Sequence, residues 1–233
     1  MLNTFRSLQA RSGALPRRRP APARPGFTLL ETSLALVIIG VGVLAFIDAQ
    51  SAFIKNNAWS SQAATSTLLA NEIRELTRRL PRHDPVTGLY LQGSGSAAVL
   101  HGWGPDAGET AVLDIDDIDD LDTLKFGDGG DFAGPINSFG QTIPETDLNG
   151  NTITDSDGMQ IALRGWSQTV FVDKVDPFNF TTVRAHEYQE APSGSFPGRT
   201  ADQYPLRVTV VVEYQGPNDL TPREMTRMVW VVP

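Results

Sequence analysis

Twenty-one residues from Phe27 to Ile47 carry one formal charge, Glu31, and otherwise run almost wholly apolar. At about 1.5 Å of rise per residue a helix of that length just crosses the hydrocarbon core of a bilayer, which is about 30 Å thick. Beyond Asp48 the pattern changes period. Ile54, Ala58, Gln62, Thr65, Leu69, Ile73, Leu76 and Leu80 recur at intervals of three or four and keep one stripe on one helix face. Glu72, Arg74, Glu75, Arg78 and Arg79 fall on the opposite face as solvated charge, and Pro81 ends the run because it has no N–H to continue it. The spacing predicts one helix over 27–80, membrane-spanning over 27–47 and head-packing over 48–80, with Asn56-Asn57 as the place where it could be interrupted.

Residues 81–165 hold no sustained period and are expected to be a turn-rich, acidic, variable region. Gly93-Ser94-Gly95-Ser96, Gly127-Asp128-Gly129-Gly130 and Asn149-Gly150-Asn151 are turn chemistry. Between Asp114 and Asp122, Ile115, Ile118, Leu121 and Leu124 recur every third residue, which predicts a short helical or 3₁₀ turn with an apolar underside and its acids outward. From Trp166 onward the period becomes that of strands. Trp166–Asp173, Leu206–Tyr214 and Met225–Val232 are rich in β-branched residues, the last two forming a hairpin around a long loop, and Phe180–Tyr188 reads as an edge. The fold class is therefore α+β: a long N-terminal membrane-spanning helix packed against a small antiparallel β-sheet head over 166–233.

Charge orients this arrangement. Arg6, Arg11, Arg17, Arg18, Arg19 and Arg24 precede the apolar run with no acid among them, and Lys55 is the first basic residue after it. That bias predicts a single-pass protein of the inner (cytoplasmic) membrane, N-terminus cytoplasmic and head extracytoplasmic. The chain has 19 basic and 27 acidic residues, so loss of the six-arginine segment leaves 19 − 6 = 13 against 27, a net charge of −14. Such a surface repels phosphate backbones, and no direct nucleic-acid contact is expected. With no cysteine, no disulfide can staple the head.

The junction Gly26-Phe27-Thr28-Leu29-Leu30-Glu31, set between the arginine-rich segment and the apolar run, resembles the class III signal of type IV prepilins and type II secretion pseudopilins. An ordinary secretory signal is cut after its apolar segment. The resemblance implies instead a cut before it, after Gly26, by a prepilin peptidase that removes leader 1–26 and methylates the new N-terminus, Phe27. It also implies that Glu31 pairs with the terminal ammonium of a neighbouring subunit and sets assembly register. A carboxylate at mid-membrane costs about 2.5–3.5 kcal/mol on insertion scales, so it favours such a partner. Thr28-x-x-Glu31 fits a capping box as well, and the two roles can coexist.

The implied function is that of a minor pilin or pseudopilin, a structural subunit of a type IV pilus or type II secretion-type filament, on the surface or in the periplasm, with other pilin or pseudopilin subunits as partners. Asp48 stands where many major pilins have a helix-bending proline, which argues against a major-pilin role. The alternative is a single-span, membrane-anchored extracytoplasmic binding module that does not polymerise.

Chemistry in the head points to oxygen ligands. Asp147, Asn149 and Asn151 alternate as at the start of a calcium loop, with Asp155 and Asp157 following, and hard oxygens at that spacing suit Ca²⁺. Thr152 stands at the sixth position and Gly158 at the twelfth, where an EF-hand has Gly and Glu. A solvated acidic turn is the other reading, and the Asp114–Asp122 cluster is the other candidate for the ion. Catalytic signatures are missing: the chain has no G-x-S-x-G elbow, phosphate-binding loop or cysteine, and His186-Glu187-Tyr188-Gln189-Glu190 lacks the second histidine of a zinc-protease motif. His83 and His101 read as surface or loop residues, and Trp59, Trp103, Trp166 and Trp230 as packing. A non-catalytic protein is expected.

Overall fold

The computed structural model describes residues 26–93 and 98–233. Residues 1–25 of the expected leader, and the Ser94-Gly95-Ser96 part of the first expected loop, lie outside the described residues. The chain divides into two units, Met1–Phe53 and Ile54–Pro233, and one helix, α1 (Leu29–Thr77), contributes to both. Asn56-Asn57 does not interrupt it.

In the first unit every described side chain is exposed, including the whole apolar run. Among the described residues α1 is the one helix long and apolar enough to cross a membrane, and its most apolar stretch buries nothing within the chain. That composition is compatible with a single-pass membrane anchor near the N-terminus.

In the second unit the helix acquires a buried face, later than the stripe predicts. Ile54 and Ala58 stay exposed, burial starts at Gln62, and Leu69, Ala70 and Ile73 are at most 1% exposed. Ser66 and Thr77, both off the apolar stripe, are buried with them, each hydroxyl returning a hydrogen bond to its own helix, to the carbonyls of Ala63 and Arg74. Small hydroxyls of this kind let a helix approach a sheet closely without leaving a polar atom unpaired.

Seven strands follow: β1 (Tyr90–Gln92), β2 (Val99–His101), β3 (Lys125–Gly127), β4 (Trp166–Asp176), β5 (Asn179–Val183), β6 (Leu206–Tyr214) and β7 (Arg223–Val232). β1 and β2 form a two-stranded antiparallel pair. The rest make a five-stranded antiparallel sheet in the order β3-β4-β6-β7, with β5 also on β4. β6 coincides with its expected span, and the β6–β7 hairpin forms around the expected loop. The expected edge at Phe180–Tyr188 shrinks to β5, whose register with β4 shifts beside Asp176.

Alternation places Leu206, Val208, Val210 and Val212 of β6 and Val170 and Val172 of β4 on one buried face, against Leu69, Ala70 and Ile73 of α1. Ile118, Leu121, Phe126 and Ile136 close the same core from the irregular region. The result is an α+β, pilin-like arrangement.

The sheet also brings a polar side chain into this core. Gln168 of β4 is fully buried; its Nε2 donates to the carbonyls of Leu69 (2.8 Å) and Ile136 (3.1 Å), and its Oε1 accepts the Ile136 N–H (2.8 Å). Strand, helix and loop are thus tied by a single amide.

The region 135–163, expected only as loops, contains three turns built alike. Asn137, Asp147 and Asp155 each accept, at Oδ1, the N–H groups two and four residues on, at 2.8–3.0 Å. Gly140, Gly150 and Gly158, three residues on, all have φ between 75° and 83°, where a side chain would be strained. Bridges Ile136↔Thr142, Thr146↔Thr152 and Thr154↔Gln160 close the three turns. The first docks on α1: Glu72 accepts the Ser138 N–H (2.7 Å) and Arg79 donates to the Ser138 carbonyl (3.1 Å). Glu72 and Arg79 are therefore not simply solvated charge.

Gln168→Leu keeps the volume and removes all three bonds, leaving the buried Ile136 carbonyl and N–H unpaired at about 1–3 kcal/mol each, while the Leu69 carbonyl keeps its bond within α1. We expect it to lower head stability by about 3 kcal/mol in denaturant titration of the detergent-solubilised chain, whereas the exposed Gln160→Leu stays near the parent value.

Candidate functional site

Gly26, Phe27 and Thr28 precede α1, and the helix begins at Leu29. Thr28 Oγ1 accepts the Glu31 N–H at 3.3 Å, which caps the helix start. Only this arm of the capping box is made, and the exposed Glu31 carboxylate has no partner among the described residues. A methyl group at Gly26 would meet no atom within 4 Å, so packing does not require glycine there. Phe27 is 81% exposed, and packing within the chain does not explain it either.

The five residues of the expected calcium loop fall in two separate turns. Asp147 caps the second turn of the 135–163 region and Asp155 the third, each directing Oδ1 at its own backbone N–H groups. Asn151 Nδ2 donates to Asp147 Oδ2 at 3.1 Å, and hydrogen bonds from Asn151, backbone first, hold the Asp147 carboxyl below its ordinary range. Asn149, Asn151 and Asp157 are exposed. Among the described residues, three carboxylates come within 4.8 Å of one another elsewhere, in two overlapping sets: Glu109, Asp116, Asp120 and Asp117, Asp119, Asp120.

That second place is the other candidate of the sequence, with its geometry inverted. Ile118 and Leu121 form the apolar underside as expected, but Asp117, Asp119 and Asp120 are at most 2% exposed rather than facing outward. The cause is backbone hydrogen bonding. The 3₁₀ turn Asp119–Leu121 has no strand partner, so carboxylates take its N–H groups: Asp117 Oδ1 accepts those of Asp119 (2.8 Å) and Asp120 (3.1 Å). Asp120 Oδ2 accepts those of Asp116 and Asp117, both at 3.3 Å. Asp119 Oδ1 accepts the Gly104 N–H (2.9 Å), while its Oδ2 pairs with His83 Nδ1.

Packing these acids together suppresses ionisation. Burial first, then the charges of Asp119 and Asp120, push the Asp117 carboxyl from 3.8 up to about 8. Burial and the charge of Glu109 push Asp120 up to about 7. Glu109 and Asp116 are also raised, chiefly by burial. The cluster can be neutralised by protons or by one hard divalent cation, for which Asp120, common to both sets, would be the central ligand.

Two readings of single residues change. His83 is not a surface residue: its side chain is 7% exposed and paired with Asp119. His101 does stack on Tyr90 in the β1–β2 pair. His186 stacks on Trp103 with ring centroids 3.7 Å apart, outside any helix. Lys174, which drew no notice in the sequence, is fully buried, donates to the carbonyls of His186 (2.5 Å) and Tyr188 (3.0 Å), and is pushed by burial down to about 8. A cavity of about 800 Å³ is an open recess in which Arg164 is already paired with Glu145.

No family model, curated protein or solved structure matches the chain.

Two predictions concern the acids. Asp117 and Asp120 bind protons more tightly in the folded chain than in the unfolded one, so their contribution is complete below about pH 4 and is lost as pH rises through about 7 and about 8. In chelator, thermal melting of the head should therefore fall across that window, and Asp117→Asn with Asp120→Asn should flatten the fall. For calcium, any rise in melting temperature at millimolar Ca²⁺ should survive Asp155→Ala with Asp157→Ala and vanish in Asp120→Asn. The reverse pattern would place the ion in the exposed turns, and no response would leave the buried acids to protons alone.

Proposed function

We propose that this chain is a non-catalytic, membrane-tethered filament subunit of the minor pilin or pseudopilin kind, assembled through α1. The observation that carries the reading is α1 itself. Every side chain from Leu29 to Ile47 is exposed, including twelve large hydrophobics that a water-soluble helix would bury. Lipid covers such a surface in an isolated chain, and neighbouring helices cover it in a bundle. Glu31 lies on that surface with no partner among the described residues, and a neighbour's terminal ammonium would supply one. Gly26 has no role in packing, which leaves its resemblance to the residue before a prepilin cut as the account of it. The topology that follows is a cytoplasmic leader, one span of the inner membrane and an acidic head outside.

Processing tests this directly. Co-expression with a prepilin peptidase should remove residues 1–26 and leave N-methyl-Phe27, read by intact mass. A retained leader, or a cut after Ile47, would overturn the proposal. Assembly is tested by Glu31→Ala, which removes a charge that is costly in lipid. The variant should remain inserted yet lose the crosslinks to other pilin subunits that the parent makes. A parent chain that is processed but never crosslinks would favour the anchored binding module.

A further inference from the structure

We infer that Asn179 is an acceptor for an N-linked glycan. The inference rests on the reading above in one respect, that the head lies outside the cytoplasm, where glycan transfer from lipid-linked donors takes place. Asn179-Phe180-Thr181 is the one Asn-x-Ser/Thr triplet in the chain, with neither Phe180 nor the following Thr182 a proline. The triplet by itself is only a short pattern, and its placement in the fold is what gives it weight.

The structure sets it at the tip of the β4–β5 hairpin. β4 ends at Asp176, Pro177-Phe178 form the turn, and Asn179 opens β5. Asp176 Oδ1 accepts the N–H groups of Phe178 (2.8 Å) and Asn179 (3.2 Å), and Arg184 holds the other carboxylate oxygen (2.6 Å), so the turn is rigidly closed. Residues 178–181 are all exposed. Within the triplet, Asn179 Oδ1 accepts both the Thr181 N–H (3.2 Å) and the Thr181 hydroxyl (2.6 Å). The amide oxygen is thereby occupied, and Nδ2, the atom that would react, has no partner among the described residues. The hydroxyl at the third position is engaged with the acceptor amide rather than with solvent, which gives the Thr181 requirement a physical reading.

A second observation points the same way. Phe178 is 88% exposed and Phe180 49% exposed, so two aromatic rings flank the acceptor with little apolar cover. Only the Arg199 guanidinium, 5.6 Å from the Phe178 ring centroid, approaches the first of them. A glycan on Asn179 would lie against these rings through its apolar C–H faces and account for their exposure.

The transfer balances. A bond forms between Asn179 Nδ2 and the anomeric carbon of the first sugar, and the bond from that carbon to the phosphate oxygen of a polyprenyl diphosphate-linked oligosaccharide breaks. Polyprenyl diphosphate leaves, and the amide proton passes to a base of the oligosaccharyltransferase.

The test is peptide mass mapping of the full chain purified from membranes of its own source, alongside accessibility of the head to protease added from outside. Expected is a glycan mass on the peptide containing Asn179, released by a peptide-N-glycosidase with conversion of that residue to Asp. Asn179→Gln and Thr181→Val should lose the mass entirely and Thr181→Ser should keep it, which separates loss of the acceptor from loss of folding. Unmodified Asn179 in a chain whose head is protease-accessible overturns this inference and leaves the membrane topology standing. Unmodified Asn179 with a protected head overturns both, and a glycan mass that persists in Asn179→Gln assigns the modification elsewhere and overturns the inference as well.

Discussion

The head depends on one amide. Gln168 is the point at which a strand, the helix and the long irregular region meet, and it is the only one of the core-facing residues of β4 and β6 between Trp166 and Val172, and Leu206 and Val212, that brings hydrogen-bonding groups into the core. Apolar packing between α1 and the sheet is tolerant of small slips along the helix, because one methyl-lined groove resembles the next. A bond to the Leu69 carbonyl is not, since it fixes which helical turn faces which strand residue. Ser66 Oγ against Thr226 Oγ1 at 2.6 Å repeats the same device two strands further along the sheet, on β7. Burial supplies the driving force, and these few polar contacts select the register.

Much of this was legible in the sequence where the signal was periodic. The apolar run, the helix stripe from Gln62 on, and the alternation of Leu206 to Tyr214 all reflect a single repeating environment along each element. The misses have a common origin in contacts made at long range. Gln168 reads as one more residue of an alternating strand, because its partners lie 99 and 32 residues away. Ile54 and Ala58 continue the stripe but find no sheet opposite them, so periodicity persists where burial does not. Asp117, Asp119 and Asp120 looked outward because carboxylates in a short turn usually are. Their inward placement follows from N–H groups that no strand satisfies.

The candidate site divides along the same line. Gly26, Phe27 and Glu31 stand out in the sequence because their signal is local, a junction between charge and hydrocarbon, and their proposed roles rest on that signal. The Asp147 to Asp157 pattern is ambiguous for an equally local reason. Alternating Asp and Asn spacing is shared by calcium loops and by turns in which the side chain caps its own backbone, and only the third-residue glycine at 140, 150 and 158 distinguishes the repeated turn. Asn137 was the overlooked member of that set. With it included, the three turns repeat from a residue that carries no charge, which already favours a backbone role over metal ligation.

A head without cysteine must hold 88 residues between α1 and β4 in which, among the described residues, the three short strands β1 to β3 and one 3₁₀ turn are the regular elements, and loops that long with so little structure of their own are uncommon in compact domains. The structure solves this by converting side chains into backbone partners at short intervals. Asp84, Asp114, Asp117, Asn137, Asp147 and Asp155 each accept N–H groups of their own turn. This explains the acidity of the head without reference to any ligand: Asp and Asn are the shortest side chains that reach a neighbouring N–H, and Asp accepts it with charge assistance. The same economy creates the one place where the acids become too dense. At Asp117 to Asp120 the turns are packed against Ile118 and Leu121, so the carboxylates that cap them lose water as well as separation. Neutralisation there is then a consequence of how the chain is tied down, and whether protons or a cation supply it is set by the compartment in which the head resides.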